Sequence, residues 1–201
     1  RGLAHNGEIN TVAGNRAWAQ ARRSSWKPEG FDLASFEEAV SLHGSDSQSL
    51  DEMFELLRMG GMDALQALRI LIPPAAHSLE QLDPDLAAFY EYYALSTEPW
   101  DGPARIVFLD GQHAGCTLDR NGLRPARYVI TDDRHITLAS EIGVWDYKPE
   151  NVVEKGRLRP GQILSADTRN GTILRPAEID QMLAARKPYK QWLRTNVQRL
   201  Q

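Results

Sequence analysis

The chain has 201 residues, 42% hydrophobic and 25% charged, the proportions of a soluble globular domain rather than a disordered segment. Its 23 basic residues against 27 acidic leave a formal charge of −4, so the balance does not favour nucleic acid or an anionic membrane surface as a partner. A single cysteine, Cys116, excludes an internal disulfide framework and a multi-cysteine metal site and suits a reducing cytosol.

No apolar run reaches the roughly 18–20 residues of a bilayer span. The best, 67–74, is interrupted by Arg69 and closed by Pro73-Pro74. The length suggests one domain. The chain starts at Arg1 with no charged-then-apolar leader. A signal peptide is therefore not expected, and a start without a methionine, a cap or a turn reads as a piece of a longer polypeptide.

Residues 1–30 carry no helical or alternating period apart from a short helix at 14–23. His5-Asn6-Gly7 signals a tight turn and Glu29-Gly30 another break. Ser49-Leu50-Asp51-Glu52 has the pattern of a capping box, and Leu50, Met53, Phe54 and Leu57 follow at helical spacing. A helix is therefore expected over 50–59, closed by Gly60-Gly61. Met62, Leu65, Leu68 and Ile72 form a second stripe, stopped by the two prolines. Asp83-Pro84 opens a third helix, expected to bury Leu86, Phe89, Tyr90 and Tyr93.

After Pro99 the period falls to about two. Asp110-Gly111, Asp132-Asp133 and Asn170-Gly171 each separate two short apolar runs, which predicts three hairpins: 105–109 with 115–118, 127–131 with 135–139, and 162–166 with 172–174. The end returns to helix through Ile179, Met182, Leu183, Trp192, Leu193, Val197 and Leu200. Residues 175–201 hold six basic side chains (Arg175, Arg186, Lys187, Lys190, Arg194, Arg199) against Glu178 and Asp180, a local +4 that reads as a solvated helix face or an interdomain docking surface. Helices, then antiparallel hairpins, then helices describe an α+β fold with segregated layers.

Five features could carry chemistry, each with a plainer reading beside it. Cys116 lies in an apparent strand, where a lone cysteine is a small core hydrophobe rather than an activated thiolate. His5, His43, His77, His113 and His135 form no His-x-x-x-His pair and read as scattered surface or turn residues rather than metal ligands. Asn6-Gly7 is either a common turn or a pair of oxyanion donors, the amide side chain of one beside the backbone N–H of the other. Asp46, in Gly44-Ser45-Asp46-Ser47, either caps the following helix or meets an ammonium group. The 119–127 stretch, with Arg120, Arg124 and Arg127, is either an ion-paired turn or an anion site.

Taken in order, six segments resemble one family. They are His5-Asn6-Gly7-Glu8-Ile9-Asn10-Thr11, Gly44-Ser45-Asp46-Ser47, Pro73-Pro74-Ala75, Glu98-Pro99-Trp100-Asp101-Gly102-Pro103-Ala104, the 117–128 stretch, and Ala139-Ser140-Glu141-Ile142-Gly143-Val144. Together they are similar to the glutamine amidotransferase domain of glutamate synthase large subunits, over nearly the whole chain.

The resemblance implies an N-terminal-nucleophile hydrolase fold: a four-layer αββα sandwich, here incomplete at its N-terminus, with 1–201 part of one domain and 177–201 a helical segment leading toward the next. It implies L-glutamine as substrate, Asn6 and Gly7 as the oxyanion hole, and Asp46 as the partner of the substrate's α-ammonium group. It places the nucleophilic cysteine, whose own α-amine is the base, upstream of Arg1. Cys116 cannot replace it, so the chain alone is expected to be inactive.

The same resemblance gives this chain no cofactor of its own and the parent an FMN and an iron–sulfur cluster. It adds the remaining domains of the parent subunit and a small electron-transfer subunit as partners, with no nucleic acid and no membrane. Ammonia would go to the reductive amination of 2-oxoglutarate. The location would be cytoplasmic, or plastid if the parent is from a plant or alga. A non-catalytic binding module that keeps the site donors, or another class II amidotransferase, stands as the alternative. A chain beginning at Arg1 is also expected to leave one strand without its neighbour, an association hazard.

Overall fold

The computed structural model describes residues 2–26, 32–75 and 82–198. The expected break at Glu29-Gly30, His77, Arg199 and Leu200 lie outside the described residues. Among those described, eight strands form two antiparallel sheets. The larger sheet runs β1 (Gly2–Gly7), β2 (Ala104–Leu109), β3 (His113–Leu118), β7 (Ile163–Asp167) and β8 (Thr172–Leu174) in that spatial order. The smaller places β4 (Arg127–Thr131) between β5 (Ile136–Ala139) and β6 (Val152–Arg157). The three hairpins expected from the turn pairs are present as β2–β3, β4–β5 and β7–β8.

Two strands lie where the sequence reading had none. β1 occupies a stretch read as aperiodic, and pairs with β2 from Gly2 opposite Leu109 to Gly7 opposite Ala104. β6 pairs with β4 on the side away from β5. β1 ends the larger sheet on one side and β8 on the other.

The helices are α1 (Val12–Arg22), α2 (Asp46–Met59), α3 (Ala64–Leu71), α4 (Pro84–Ala94), α5 (Pro176–Ala184) and α6 (Tyr189–Asn196). α2 starts four residues earlier than its apolar stripe suggested. Ser45 is the N-cap, its Oγ accepting the Gln48 N–H at 3.1 Å. Ser49 is instead fully buried inside the helix, with its hydroxyl donating to the Ser41 carbonyl at 2.9 Å. Asp83 caps α4 as expected, with Pro84 at its first position. Leu86, Phe89 and Tyr90 are buried there, whereas Tyr93 is only half-buried.

Two cores hold these layers together. Leu50, Phe54, Leu65, Leu68, Phe89, Ile179 and Leu183 from the helices close over Ile106 and Ile163 on one face of the larger sheet. Each such side chain contributes about 1.5–3 kcal/mol on full burial. Cys116, Leu118 and Leu164 on the opposite face meet Tyr128, Ile136 and Leu138 of the smaller sheet. The order is helices, sheet, sheet, within the α+β class. No helix among the described residues is long and apolar enough to cross a membrane.

The C-terminal helices belong to the first core: Ile179, Leu183 and Tyr189 are buried in it. Their basic residues find acids on neighbouring helices, Arg186 on Asp63 and Lys190 on Asp85. A buried arginine ties this layer to the turn that leads into β7. Arg69, 2% exposed, contacts both Asp180 and the Gly161 carbonyl. Removing Asp180 leaves the guanidinium buried with its countercharge gone. Asp180→Ala should therefore cost about 2–4 kcal/mol in urea unfolding, while Arg69→Met, which removes the charge and keeps the volume, should cost less than half as much. Equal losses would contradict the reading of Arg69 as a buried charge dependent on Asp180.

Candidate functional site

The end of β1 places the predicted donors. Side chains alternate along a strand, so His5 turns under α2, where its side chain is 2% exposed, and Asn6 turns to the opposite, open face. Backbone N–H groups alternate as well. The Glu8 N–H reaches the Pro103 carbonyl at 3.1 Å, so the Gly7 N–H points the other way, out of the strand's unpaired edge. Along that same edge the Ile9 N–H donates to Asp46 Oδ2 at 2.8 Å.

Gly7 has φ +145, and a Cβ on it would sit 1.7 Å from the Pro103 carbonyl oxygen. Only glycine fits this close approach. The facing loop carries a second such position: a Cβ on Gly102 would lie 1.9 Å from the Glu8 carbonyl oxygen.

Asp46 arrives from α2, as the first residue of that helix. Its Oδ1 accepts the Ser47 N–H at 2.8 Å, and its Oδ2 lies 3.4 Å from His5 Nε2 as well as on Ile9. The carboxylate thus touches residues on both sides of Asn6-Gly7. Burial alone would raise its pKa, but the two backbone N–H donors and nearby His5 outweigh that and hold it below the ordinary 3.8. Asp46 is anionic at neutral pH, with lone pairs left for a further donor.

Arg16 fixes the loop that delivers Asp46. Its guanidinium donates to the carbonyls of Leu42 at 3.1 Å and Gly44 at 2.5 Å, and to Ser49 Oγ at 3.0 Å. Sequence reasoning missed Arg16, because its partners lie more than 25 residues away and carry no side-chain signal except Ser49.

Of the other candidates, His5 adjoins the site through Asp46 and the rest lie elsewhere. Cys116 is fully buried between the sheets, and burial pushes its thiol up to about 12, with Arg105 pulling only weakly the other way. Such a thiol is protonated and inert. His5 and His113 are buried, not surface residues as expected, while His43 and His135 are exposed. No group of three or more metal-ligating side chains occurs among the described residues. Arg120 is ion-paired to Asp101, the structural alternative for the 119–127 turn.

A family model described as glutamine amidotransferases class-II matches residues 1–192. The chain belongs to that family. Over 199 residues it is 46% identical to a ferredoxin-dependent glutamate synthase of Antithamnion sp., covering 96% of this chain and 13% of that protein. It is 43% identical over 195 residues to the large chain of an NADPH glutamate synthase of Bacillus subtilis, with the same 96% and 13% coverage. It is 42% identical over 193 residues to an NADH glutamate synthase of Schizosaccharomyces pombe, covering 94% of this chain and 9% of that protein. The chain therefore spans about an eighth or less of these relatives.

Asp46, with its carboxylate on two backbone N–H groups, should contribute to the stability of this chain. A depressed folded pKa stabilises the fold above the unfolded value and is lost as pH falls through the folded one. Asp46→Asn should be less stable than the parent sequence in urea near neutral pH, and the difference should shrink as pH falls through the lowered folded pKa of Asp46. A difference that stays constant with pH would contradict the carboxylate's role.

Proposed function

We propose that these residues form part of the glutamine-hydrolysing site of a glutamate synthase-type enzyme. The observation that carries the reading is the placement of three groups at one strand end: the Gly7 N–H on the unpaired edge, the Asn6 side chain on the open face, and the Asp46 carboxylate on His5 and the Ile9 N–H, the residues that flank them. An amide carbonyl under nucleophilic attack develops charge on its oxygen, and two pre-aimed N–H donors stabilise that charge. The α-ammonium of an amino-acid amide needs a carboxylate, and Asp46 supplies one. Supporting the assignment to glutamate synthase rather than another class II enzyme are the 41–46% identities to glutamate synthases.

In this reading the attacking cysteine and its α-amino base come from the parent polypeptide outside these 201 residues. The thiol adds to the glutamine side-chain carbonyl while the amine takes its proton. The tetrahedral oxyanion rests on Asn6 Nδ2 and the Gly7 N–H. Collapse expels ammonia, which receives that proton, and leaves a thioester that water converts to glutamate. The ammonia would then serve reductive amination of 2-oxoglutarate elsewhere in the parent, in the cytoplasm or a plastid. The rest of the four-layer sandwich would likewise come from the parent.

An FMN and an iron–sulfur cluster belong to this reading only through the parent. The donor set here does not fit a cluster: the chain has one cysteine, and it is buried in the core. Nor does the sequence contain a G-x-G-x-x-G or G-x-x-x-x-G-K-[ST] phosphate loop.

In the full-length parent, Asn6→Ala should lower kcat for glutamine hydrolysis by about 10²–10³ with little change in KM, as for the loss of one oxyanion donor. Asp46→Ala should chiefly raise the glutamine KM, since its contact is already made in the ground state. A raised KM with unchanged kcat in Asn6→Ala would overturn the oxyanion assignment. Absence of glutaminase activity in the intact parent would favour a non-catalytic module.

A further inference from the structure

We infer that Arg120 is a positioning residue for the reaction, holding the oxyanion donors in place through Asp101; the inference rests on the reading of Asn6 and Gly7 given above. The turn that follows Gly7 has no sheet partner of its own. It is held by the loop 99–103 instead.

The Glu8 N–H donates to the Pro103 carbonyl at 3.1 Å, and the Thr11 N–H to the Asp101 carbonyl at 3.2 Å. The Asp101 N–H returns a bond to Thr11 Oγ1 at 2.9 Å. Thr11 Oγ1 in turn donates to Asn15 Oδ1 at 2.6 Å, and Asn15 Nδ2 closes the ring on the Pro99 carbonyl at 3.1 Å. Asn15 is 2% exposed. Gly7 is therefore held by β2 through the sheet register and, through the turn that follows it, by loop 99–103.

That loop is anchored at Trp100, which is buried and donates its backbone N–H to the Leu71 carbonyl at 2.7 Å, and at Asp101 by a charged contact from Arg120, with 30% and 20% of the two side chains exposed. Arg120 projects from a rigid base. Asp119, 2% exposed, accepts the N–H groups of Asn121 at 3.0 Å and Leu123 at 3.1 Å through its carboxylate. Its backbone N–H donates to the Ala104 carbonyl at 2.8 Å, and its carbonyl accepts the Gly161 N–H at 2.9 Å. Ala104 is the residue opposite Gly7. Asp119 thus fixes the turn to the sheet, and Arg120 fixes the loop to the turn. A cation placed so that it meets no substrate can still set the donors' geometry, and displacement of a catalytic group by an ångström costs up to about 10²-fold in rate.

The test is glutamine hydrolysis by the full-length parent, read as separate kcat and KM values alongside the thermal midpoint. Arg120→Gln should lower kcat about 10–100-fold and leave KM within about twofold. Asp101→Asn, nearly isosteric and able to keep every backbone bond, should do the same, and the double variant should be no worse than either single one. Only one guanidinium nitrogen makes the contact, so an ammonium can replace it, and Arg120→Lys should recover kcat to within about threefold of the parent.

A lowered thermal midpoint with kcat unchanged would overturn the inference in favour of a structural pair. A raised KM with unchanged kcat would also overturn it. If Asn6→Ala itself leaves kcat unchanged, the oxyanion reading fails and takes this one with it. If Asn6→Ala lowers kcat and neither Arg120→Gln nor Asp101→Asn does, the inference about Arg120 alone is wrong.

Discussion

The close approach of two backbones, at Gly7 and the Pro103 carbonyl, is the constraint on which the rest of the site depends. With Gly7 opposite Ala104 in the β1–β2 register, the end of β1 lies against the loop 99–103 with no room for a side chain between them. Gly102 meets the Glu8 carbonyl in the same way from the facing loop. This contact sends the Glu8 N–H inward to Pro103 and therefore the Gly7 N–H outward. A residue with a Cβ at either position would push the strand away from the loop and re-aim both donors.

The layers serve that contact. The helical layer covers one face of the larger sheet and carries α2, whose first residue is Asp46; the smaller sheet covers part of the other face. α2 also runs along the unpaired side of β1, with Asp51 near the Leu3 N–H as Asp46 is on Ile9. Burial and the charge of Glu55 push the Asp51 carboxyl up, against the Leu3 bond. Two N–H groups of the β1 edge thus meet carboxylates of α2, which binds the strand to that helix. The chemistry and the fold therefore draw on the same few residues at one end of one strand.

Much of this was legible in the sequence where the signal is local. The apolar stripes of α2 and α3, the cap of α4 and the three hairpin turns depend on residues a few positions apart, and all were found. β1 was not, because its inward and outward positions are filled by Leu3, His5, Ala4 and Asn6, whose hydropathies do not alternate cleanly although their burial does. β6 was missed for a related reason: Val153, 67% exposed, breaks the apolar-in, polar-out pattern. The start of α2 was misplaced because its first turn, Asp46 to Ser49, is polar and has no apolar stripe to mark it. Asn6, Gly7 and Asp46 stood out locally as candidates, but only the run of six motifs chose the chemical reading over the plainer one. Arg16, Asp101 and Arg120 act across long sequence separations, and pairing of that kind has no local signature.

The most direct measurement of the account is glutamine hydrolysis by the full-length parent carrying Gly7→Ala, with the folded state confirmed by a cooperative thermal transition. The added methyl meets backbone rather than a flexible side chain, so it cannot be absorbed without moving the strand end. The account predicts a loss of at least about 10² in kcat/KM with the fold retained. A folded Gly7→Ala enzyme with activity within about twofold of the parent would contradict it.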